Sequence, residues 1–183
     1  PSQSPKNLSG SAGDTTANLT WTASTNATSY EVWLSNLLVT TTTSASAQVT
    51  GLTNGQTYPF KVRAVYSNGD TSAFSSTVSV RPVPPPPAAP TAVTATIGNS
   101  QVLLGWTAAP NAVTYRVYQD GAFKVQVNTT SATMSGLINN TDYTFAVKTV
   151  DAYGQESSLS SPVVARPLPD KLAAPINVVL NAG

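Results

Sequence analysis

The stretch GLTNGQTYPFKVRAVYSNGD, residues 51–70, recurs as GLINNTDYTFAVKTVDAYGQ at residues 136–155. In both stretches a Tyr opens a segment in which apolar and polar side chains alternate, and a Gly-containing turn follows. Alternation with a period of two is typical of a β-strand that buries one face. The recurrence, at an offset of 85 residues, therefore indicates that one strand-rich unit occurs twice in the chain.

The same offset relates further aromatic, Gly and Pro residues without a gap, as expected for a duplicated unit. The matching pairs are Pro5 and Pro90, Trp21 and Trp106, Tyr30 and Tyr115, Leu52 and Leu137, Tyr58 and Tyr143, Gly69 and Gly154, and Arg81-Pro82 and Arg166-Pro167. Pro175 continues the series from Pro90. The final residues, PINVVLNAG, are therefore expected to form the first strand of a truncated third copy.

Proline-rich stretches mark the boundaries between the copies. RPVPPPPAAP (81–90) favours a semi-rigid, extended polyproline II connection, whereas RPLPDKLAAP (166–175) has fewer prolines and is expected to be less stiff. The opening, PSQSPKNLSG, also reads like a linker, so the chain is expected to be a piece of a longer protein. The predicted divisions are a first module at 1–83, a linker at 84–89, a second module at 90–168, and a linker with the truncated strand at 169–183.

The amino-acid composition argues against several classes of function. Charged residues make up 9% of the chain, against roughly 25% in an average soluble domain, and the net charge is +1. The basic footprint of a nucleic-acid binder and the roughly 20-residue apolar run of a membrane span are both missing from the sequence. Cys and His are absent as well. The sequence therefore predicts no disulfide, no catalytic residue, no metal site and no cofactor.

The residues that recur resemble the pattern of the fibronectin type III family over nearly the whole of both copies. Its elements in the first copy are Pro5, Trp21, Tyr30-Glu31-Val32, the Leu52-to-Tyr58 spacing and Gly69. The resemblance implies an all-β fold of two tandem fibronectin type III-like (immunoglobulin-like) seven-stranded β-sandwiches. The two Trp residues are then expected to fill the space between the sheets. Tyr58 and Tyr143 are expected to be tyrosine corners, whose hydroxyl groups bond to the backbone upstream.

One position departs from the repeat. Pro59 follows Tyr58, where the second copy has Thr144. Because Pro lacks the N–H that a central strand uses for pairing, regular pairing in the first copy is expected to begin at or after Phe60.

The candidate binding residues lie on the strand that follows Trp21, on the strand beside it, and on the equivalent strand of the second copy. With Tyr30, Val32 and Leu34 facing inward, Trp33 faces outward, and so does Tyr118 in the second copy. Lys61 and Arg63 on the neighbouring strand share that outer face. Exposed aromatic side chains stack on sugars or anchor protein partners. In the alternative interpretation, Trp33 packs under the Arg63 side chain or a neighbouring loop as a cation–π pair and binds nothing.

Two functions follow as hypotheses. The resemblance to bacterial modules of this family implies non-catalytic, extracellular spacers that position other domains of a secreted or surface protein. The alternative is a binding module for polysaccharide or a surface protein, using Trp33, Lys61, Arg63 and Tyr118, or a sheet edge open to strand addition. Neither hypothesis involves nucleic acid, membrane insertion or catalysis.

Overall fold

The computed structural model describes residues 3–171, and every regular element within this range is a β-strand. The chain divides into two compact units between Pro85 and Pro86, called module 1 and module 2 below. The strand expected at 175–183 lies outside the described residues. Within residues 3–171 there is no helix with the length and apolar character needed to cross a bilayer.

Module 1 consists of two antiparallel sheets. Its strands are β1 (Lys6–Gly13), β2 (Thr16–Thr22), β3 (Ala27–Leu34), β4 (Leu37–Thr42), β5 (Ser46–Val49), β6 (Tyr58–Tyr66) and β7 (Val78–Val80). One sheet has the order β1-β2-β5 and the other has the order β4-β3-β6-β7. The crossovers between the sheets give the seven-stranded sandwich that the resemblance implies.

Module 2 repeats this arrangement. Its strands are β8 (Thr91–Gly98), β9 (Gln101–Thr107), β10 (Thr114–Gln119), β11 (Ala122–Val127), β12 (Ser131–Ser135), β13 (Tyr143–Val150) and β14 (Val163–Ala165). The sheets have the orders β8-β9-β12 and β11-β10-β13-β14. The predicted fold class, two tandem all-β sandwiches, is confirmed.

The signature aromatic residues fill the space between the sheets. Trp21 is 7% exposed and packs edge-on against Tyr30 at a ring separation of 5.3 Å. Trp106 and Tyr115 repeat this contact at 5.4 Å. Each module has its own cluster of buried side chains around these rings. The Trp residues are therefore internal packing groups, as the sequence predicts.

Both predicted tyrosine corners are present. The hydroxyl oxygen of Tyr58 accepts a hydrogen bond from the backbone N–H of Thr53 at 2.9 Å. That of Tyr143 accepts from the N–H of Ile138 at 3.0 Å. Each bond lies five residues upstream and ties the loop before β6 or β13 to the strand itself. The opening stretch of sequence recurs because this corner recurs.

The expected start of pairing in β6 is wrong for one of its two neighbours. Pairing with β7 begins at Tyr58 and includes Pro59 opposite Ser79. Pairing with β3 begins at Phe60, opposite Leu34. Pro59 therefore lies within the strand, and its missing N–H is tolerated because it precedes the first β3 partner.

The edge strands β4 and β11 each carry a bulge where they pass the predicted binding face. The register skips one residue between Val32 and Trp33 in module 1, and between Val117 and Tyr118 in module 2. Bulges bend an edge strand and interrupt its free hydrogen-bonding groups. The edges formed by β4 and β11 are thereby less suited to adding a further strand.

Candidate functional site

The predicted binding residues of module 1 meet across two central strands. Trp33 on β3 lies opposite Lys61 on β6, and Glu31 lies opposite Arg63. Tyr30 and Val32, which alternate with them, are buried in the core. We call the opposite surface, formed by Glu31, Trp33, Lys61, Arg63 and Phe74, the outer face of module 1.

Arg63 and Glu31 organise this face. The Nε atom of Arg63 donates a hydrogen bond to Oε2 of Glu31 at 2.6 Å, and the guanidinium carbon lies 5.1 Å from the centre of the Trp33 ring. The indole Nε1 of Trp33 donates to the same Glu31 oxygen at 2.9 Å. Trp33 is consequently held in one orientation by a charged pair and by its own N–H.

Burial raises the pKa of Glu31, but this is outweighed by the hydrogen bonds from Arg63 and then Trp33, together with the positive charge of Arg63. The net effect lowers the pKa of this carboxyl group from its usual 4.5. Glu31 is therefore ionised at neutral pH, and the outer face carries a compensated ion pair. It does not offer a free carboxylate to a ligand.

Phe74 completes the face, although the alternation of strand residues does not place it there. Its ring packs edge-on against Trp33 at 5.8 Å, and Lys61 Nζ lies 4.2 Å from its centre. Arg63 is 5.3 Å from the same ring. The Trp33 and Phe74 rings are thus covered in part by cations, and both residues are half-buried.

The segment between β6 and β7 places Phe74 through two serines. The hydroxyl of Ser72 accepts from the N–H of Ala64 at 2.9 Å, and that of Ser75 accepts from the N–H of Val62 at 3.0 Å. The backbone N–H groups of Ser72 and Ser75 in turn donate to the carbonyls of Ala64 and Val62. Ser157 and Ser160 make the same pattern in module 2. This in-register Ser-x-x-Ser pair was the sequence signal that would have located Phe74.

The equivalent face of module 2 contains Tyr118, the fourth predicted residue. Tyr118 packs edge-on against Phe123 at 6.0 Å, and Lys148 Nζ lies 5.6 Å from the Tyr118 ring centre. Arg116 lies 5.6 Å from the Phe123 ring. The same kind of aromatic–cation cluster is therefore built in both modules, although the residue types differ.

The charges of the two faces are arranged differently. In module 1 the opposed pair is Glu31 and Arg63, whereas module 2 has Arg116 opposite Lys148. Two cations placed opposite each other on neighbouring strands repel. Glu156 resolves this conflict, because its carboxylate accepts from Lys148 Nζ at 3.1 Å and from Arg116 as well.

Three apolar side chains beside these clusters remain exposed. Leu38, which pairs with Trp33, is 42% exposed, and its counterpart Phe123 is 51% exposed. Leu159, the counterpart of Phe74, is 46% exposed. Each module thus combines two aromatic residues and one leucine at equivalent positions, with one or two of these side chains open to solvent.

Elsewhere on module 1, one groove is lined by uncharged side chains, most of them with hydrogen-bonding groups. A shallow groove of about 490 Å³ between β2, β4 and β5 is lined by Asn, Gln, Ser, Thr, Leu and Ala. Across residues 3–171, no three His, Cys, Asp or Glu side chains are gathered in a way that could hold a metal ion. The aromatic–cation clusters are therefore the most distinctive surface features of the two modules.

Comparison with known families identifies the fold. The model of the fibronectin type III domain matches residues 3–81 and again residues 88–166. These two matches cover most of the chain, and the chain belongs to the fibronectin type III family. The resemblance found in the sequence is confirmed.

The chain is similar to parts of much longer bacterial proteins. It is 38% identical over 158 residues to chitinase A1 of Niallia circulans, covering 79% of this chain and 23% of that protein. It is 32% identical over 163 residues to exoglucanase B of Cellulomonas fimi, covering 81% of this chain and 15% of that protein. The solved fibronectin(III)-like modules of CbhA from Clostridium thermocellum align with 92% of this chain and 94% of theirs, at 17% identity and a TM-score of 0.45. The chain spans less than a quarter of the length of these curated relatives.

Proposed function

We propose that the two modules are non-catalytic spacers that position other domains of a larger protein, which is secreted or held at the cell surface. The observation that carries this proposal is the burial of Trp21 and Trp106, each 7% exposed. The two Trp residues that recur between the copies therefore serve to close two sandwiches. Each closed sandwich supplies a compact unit with its own core.

The relatives support a particular setting for such spacers. Chitinase A1 and exoglucanase B are named as polysaccharide-degrading enzymes, and the region similar to this chain is a minor part of each. By analogy, the partners of this chain are the other domains of one polypeptide that acts on a polysaccharide. The predicted divisions at 1–83, 84–89, 90–168 and 169–183 stay part of this proposal.

Replacing the modules within the parent protein tests the spacer role. Residues 3–171 are deleted from the full-length protein in one variant and exchanged for two unrelated β-sandwich modules in another. A spacer predicts that deletion lowers hydrolysis of an insoluble polysaccharide, whereas the exchange restores it. Loss of activity in both variants, with unchanged hydrolysis of a soluble substrate, would show that the modules contribute specific contacts and overturn the proposal.

The second candidate is a binding module that uses the outer faces. It is favoured by three exposed apolar side chains at positions that the two modules share, namely Leu38, its counterpart Phe123, and Leu159, the counterpart of Phe74. It is opposed by the cations that cover Trp33 and Phe74. The ligand would be a polysaccharide stacked on the rings, or a surface protein.

A pull-down with insoluble chitin and with cellulose discriminates the two candidates. The binding hypothesis predicts retention of the 183-residue chain and reduced retention for Phe123→Ala and Tyr118→Ala, with Leu168→Ala as the matched exposed control. Because Phe123 is half exposed, its replacement should leave the fold intact. If the wild-type chain is retained no more than the Phe123→Ala variant, the binding hypothesis is rejected and only the spacer role remains.

A further inference from the structure

The chain that leaves module 2 is bonded to the module beyond the last strand. We call residues 166–170, which follow β14, the exit segment. Arg166 donates two hydrogen bonds to the carboxylate of Asp142, at 2.7 and 2.6 Å. The carbonyl of Pro167 accepts from the N–H of Asn140 at 2.8 Å, and the N–H of Leu168 donates to the carbonyl of Gly98 at 3.3 Å. The exit segment therefore contacts the loop before β13 and the turn between β8 and β9.

A chain of side-chain hydrogen bonds extends these contacts to Asp170. The N–H of Ser100 donates to Oδ1 of Asn139 at 2.8 Å, and Nδ2 of Asn139 donates to Oδ1 of Asn99 at 2.8 Å. Nδ2 of Asn99 then donates to Oδ2 of Asp170 at 2.9 Å. Each Asn uses its oxygen as an acceptor and its nitrogen as a donor, so the chain passes through both amides and ends at the carboxylate.

Module 1 has the beginning of this hydrogen-bond chain but not its end. The N–H of Thr15 donates to Oδ1 of Asn54 at 2.9 Å, and Nδ2 of Asn54 donates to Oδ1 of Asp14 at 2.8 Å. Asp14 occupies the position of Asn99 in module 2, and a carboxylate accepts hydrogen bonds but cannot donate one. The position equivalent to Asp170 is Pro85, whose side chain has no polar atom. Module 1 therefore lacks both the donor and the acceptor that form the Asn99–Asp170 hydrogen bond in module 2.

We propose that the Asn99–Asp170 hydrogen bond is a positioning device, which fixes the direction in which the chain leaves module 2. Module 1 instead continues into prolines 84–87, which restrict the backbone directly. The smaller number of prolines after module 2 predicts a more flexible exit segment. The hydrogen bonds of the exit segment oppose this flexibility. The proposal rests on the spacer function, since a held exit segment serves to orient the residues that follow.

The test measures backbone motion in the full 183-residue chain by ¹⁵N relaxation and amide exchange. The wild-type chain should show order parameters of about 0.85 through Asp170, and Asp170→Ala should lower those of residues 168–171 to about 0.6. Exchange of the Leu168 amide should rise several-fold. Asp170→Asn keeps an acceptor and should behave like the wild type, whereas Asn99→Asp removes the donor and should resemble Asp170→Ala.

Asp14→Asn in module 1 is the matched control, and it should leave residues 168–171 unchanged. Equal order parameters and equal Leu168 exchange in the wild-type chain and in Asp170→Ala would overturn the proposal. Loosening in Asp170→Asn to the same extent as in Asp170→Ala would also contradict it, because the acceptor would then be irrelevant. These readouts involve no polysaccharide, so a failure of the spacer function in the replacement experiment is distinguishable from a failure here.

Discussion

Thr144 and Asp120 exchange two hydrogen bonds in module 2. The backbone N–H of Thr144 donates to Oδ1 of Asp120 at 2.9 Å, and the N–H of Asp120 donates to the carbonyl of Thr144 at 2.8 Å. In module 1 the equivalent residues are Pro59 and Ser35, and only the second bond is kept, from Ser35 N–H to the Pro59 carbonyl at 3.2 Å. The donor that Pro removes thus serves a side chain at this position, not the strand ladder.

Thr144→Pro should consequently be mild. We expect it to lower the free energy of unfolding of module 2 by less than about 1 kcal/mol, since the Asp120 carboxylate left behind is exposed to water and Pro restricts the unfolded chain. Ala146→Pro, two residues further along β13 and opposite Tyr118, is the control and should cost about 1–3 kcal/mol more, because Pro cannot donate in the pairing of β13 with β10. Urea unfolding measures both, and equal losses would contradict this account.

The sequence pattern predicts some strands of the fold and misses others. Alternation placed Tyr30, Val32 and Leu34 on one strand and made Tyr58 the start of another, and β3 and β6 contain these residues because each strand buries one face. The stretch that forms β4, LLVTTT, was not singled out, since its side chains are exposed or half-buried and do not alternate. The start of pairing at Pro59 depends on which partner a backbone N–H would have, and no local pattern contains that information.

The tyrosine corners should contribute a small, separable stability. Tyr143→Phe removes the acceptor for the N–H of Ile138 while it keeps the packing of the ring. We expect a loss of about 0.5–1.5 kcal/mol in the free energy of unfolding of module 2, with faster exchange of the Ile138 amide. Tyr58→Phe is the matched variant in module 1 and should act on Thr53 in the same way. Unchanged amide exchange at Ile138 would show that the bond is not formed in solution.

The outer faces were only partly predictable. The period of two placed Trp33, Lys61 and Arg63 together correctly, because it depends on strand geometry alone. It did not place Phe74 or Glu156, which reach the faces from segments outside the long strands. Their positions depend on hydrogen bonds that the hydroxyl groups of Ser72, Ser75 and their counterparts accept from backbone N–H groups of β6 and β13. Tyr118 was placed on the equivalent face, but its main aromatic neighbour there, Phe123, comes from an edge strand.

Glu31 should make the stability of module 1 depend on pH. Its folded-state pKa lies below 4.5, because the bonds from Arg63 and Trp33 outweigh the effect of burial. A group with a lowered folded pKa adds stability above its unfolded pKa and loses it as the pH falls through the folded value. Glu31→Gln should therefore destabilise module 1 at pH 7, and the difference from wild type should shrink as the pH drops below 4.5. Thermal unfolding with NMR titration of the carboxyl carbon checks both points, and a pKa above 4.5 would contradict the prediction.

Each sandwich should unfold on its own. Trp106 belongs only to the core of module 2, so Trp106→Ala leaves a large cavity there and should cost about 3–5 kcal/mol. Since single domains are stable by about 5–15 kcal/mol, module 2 should melt much earlier, while module 1 keeps its dispersed NMR signals. Trp21→Ala is the mirror variant and should reverse the pattern. Loss of both sets of signals in either variant would mean that the two cores fold as one, which is incompatible with two independent modules.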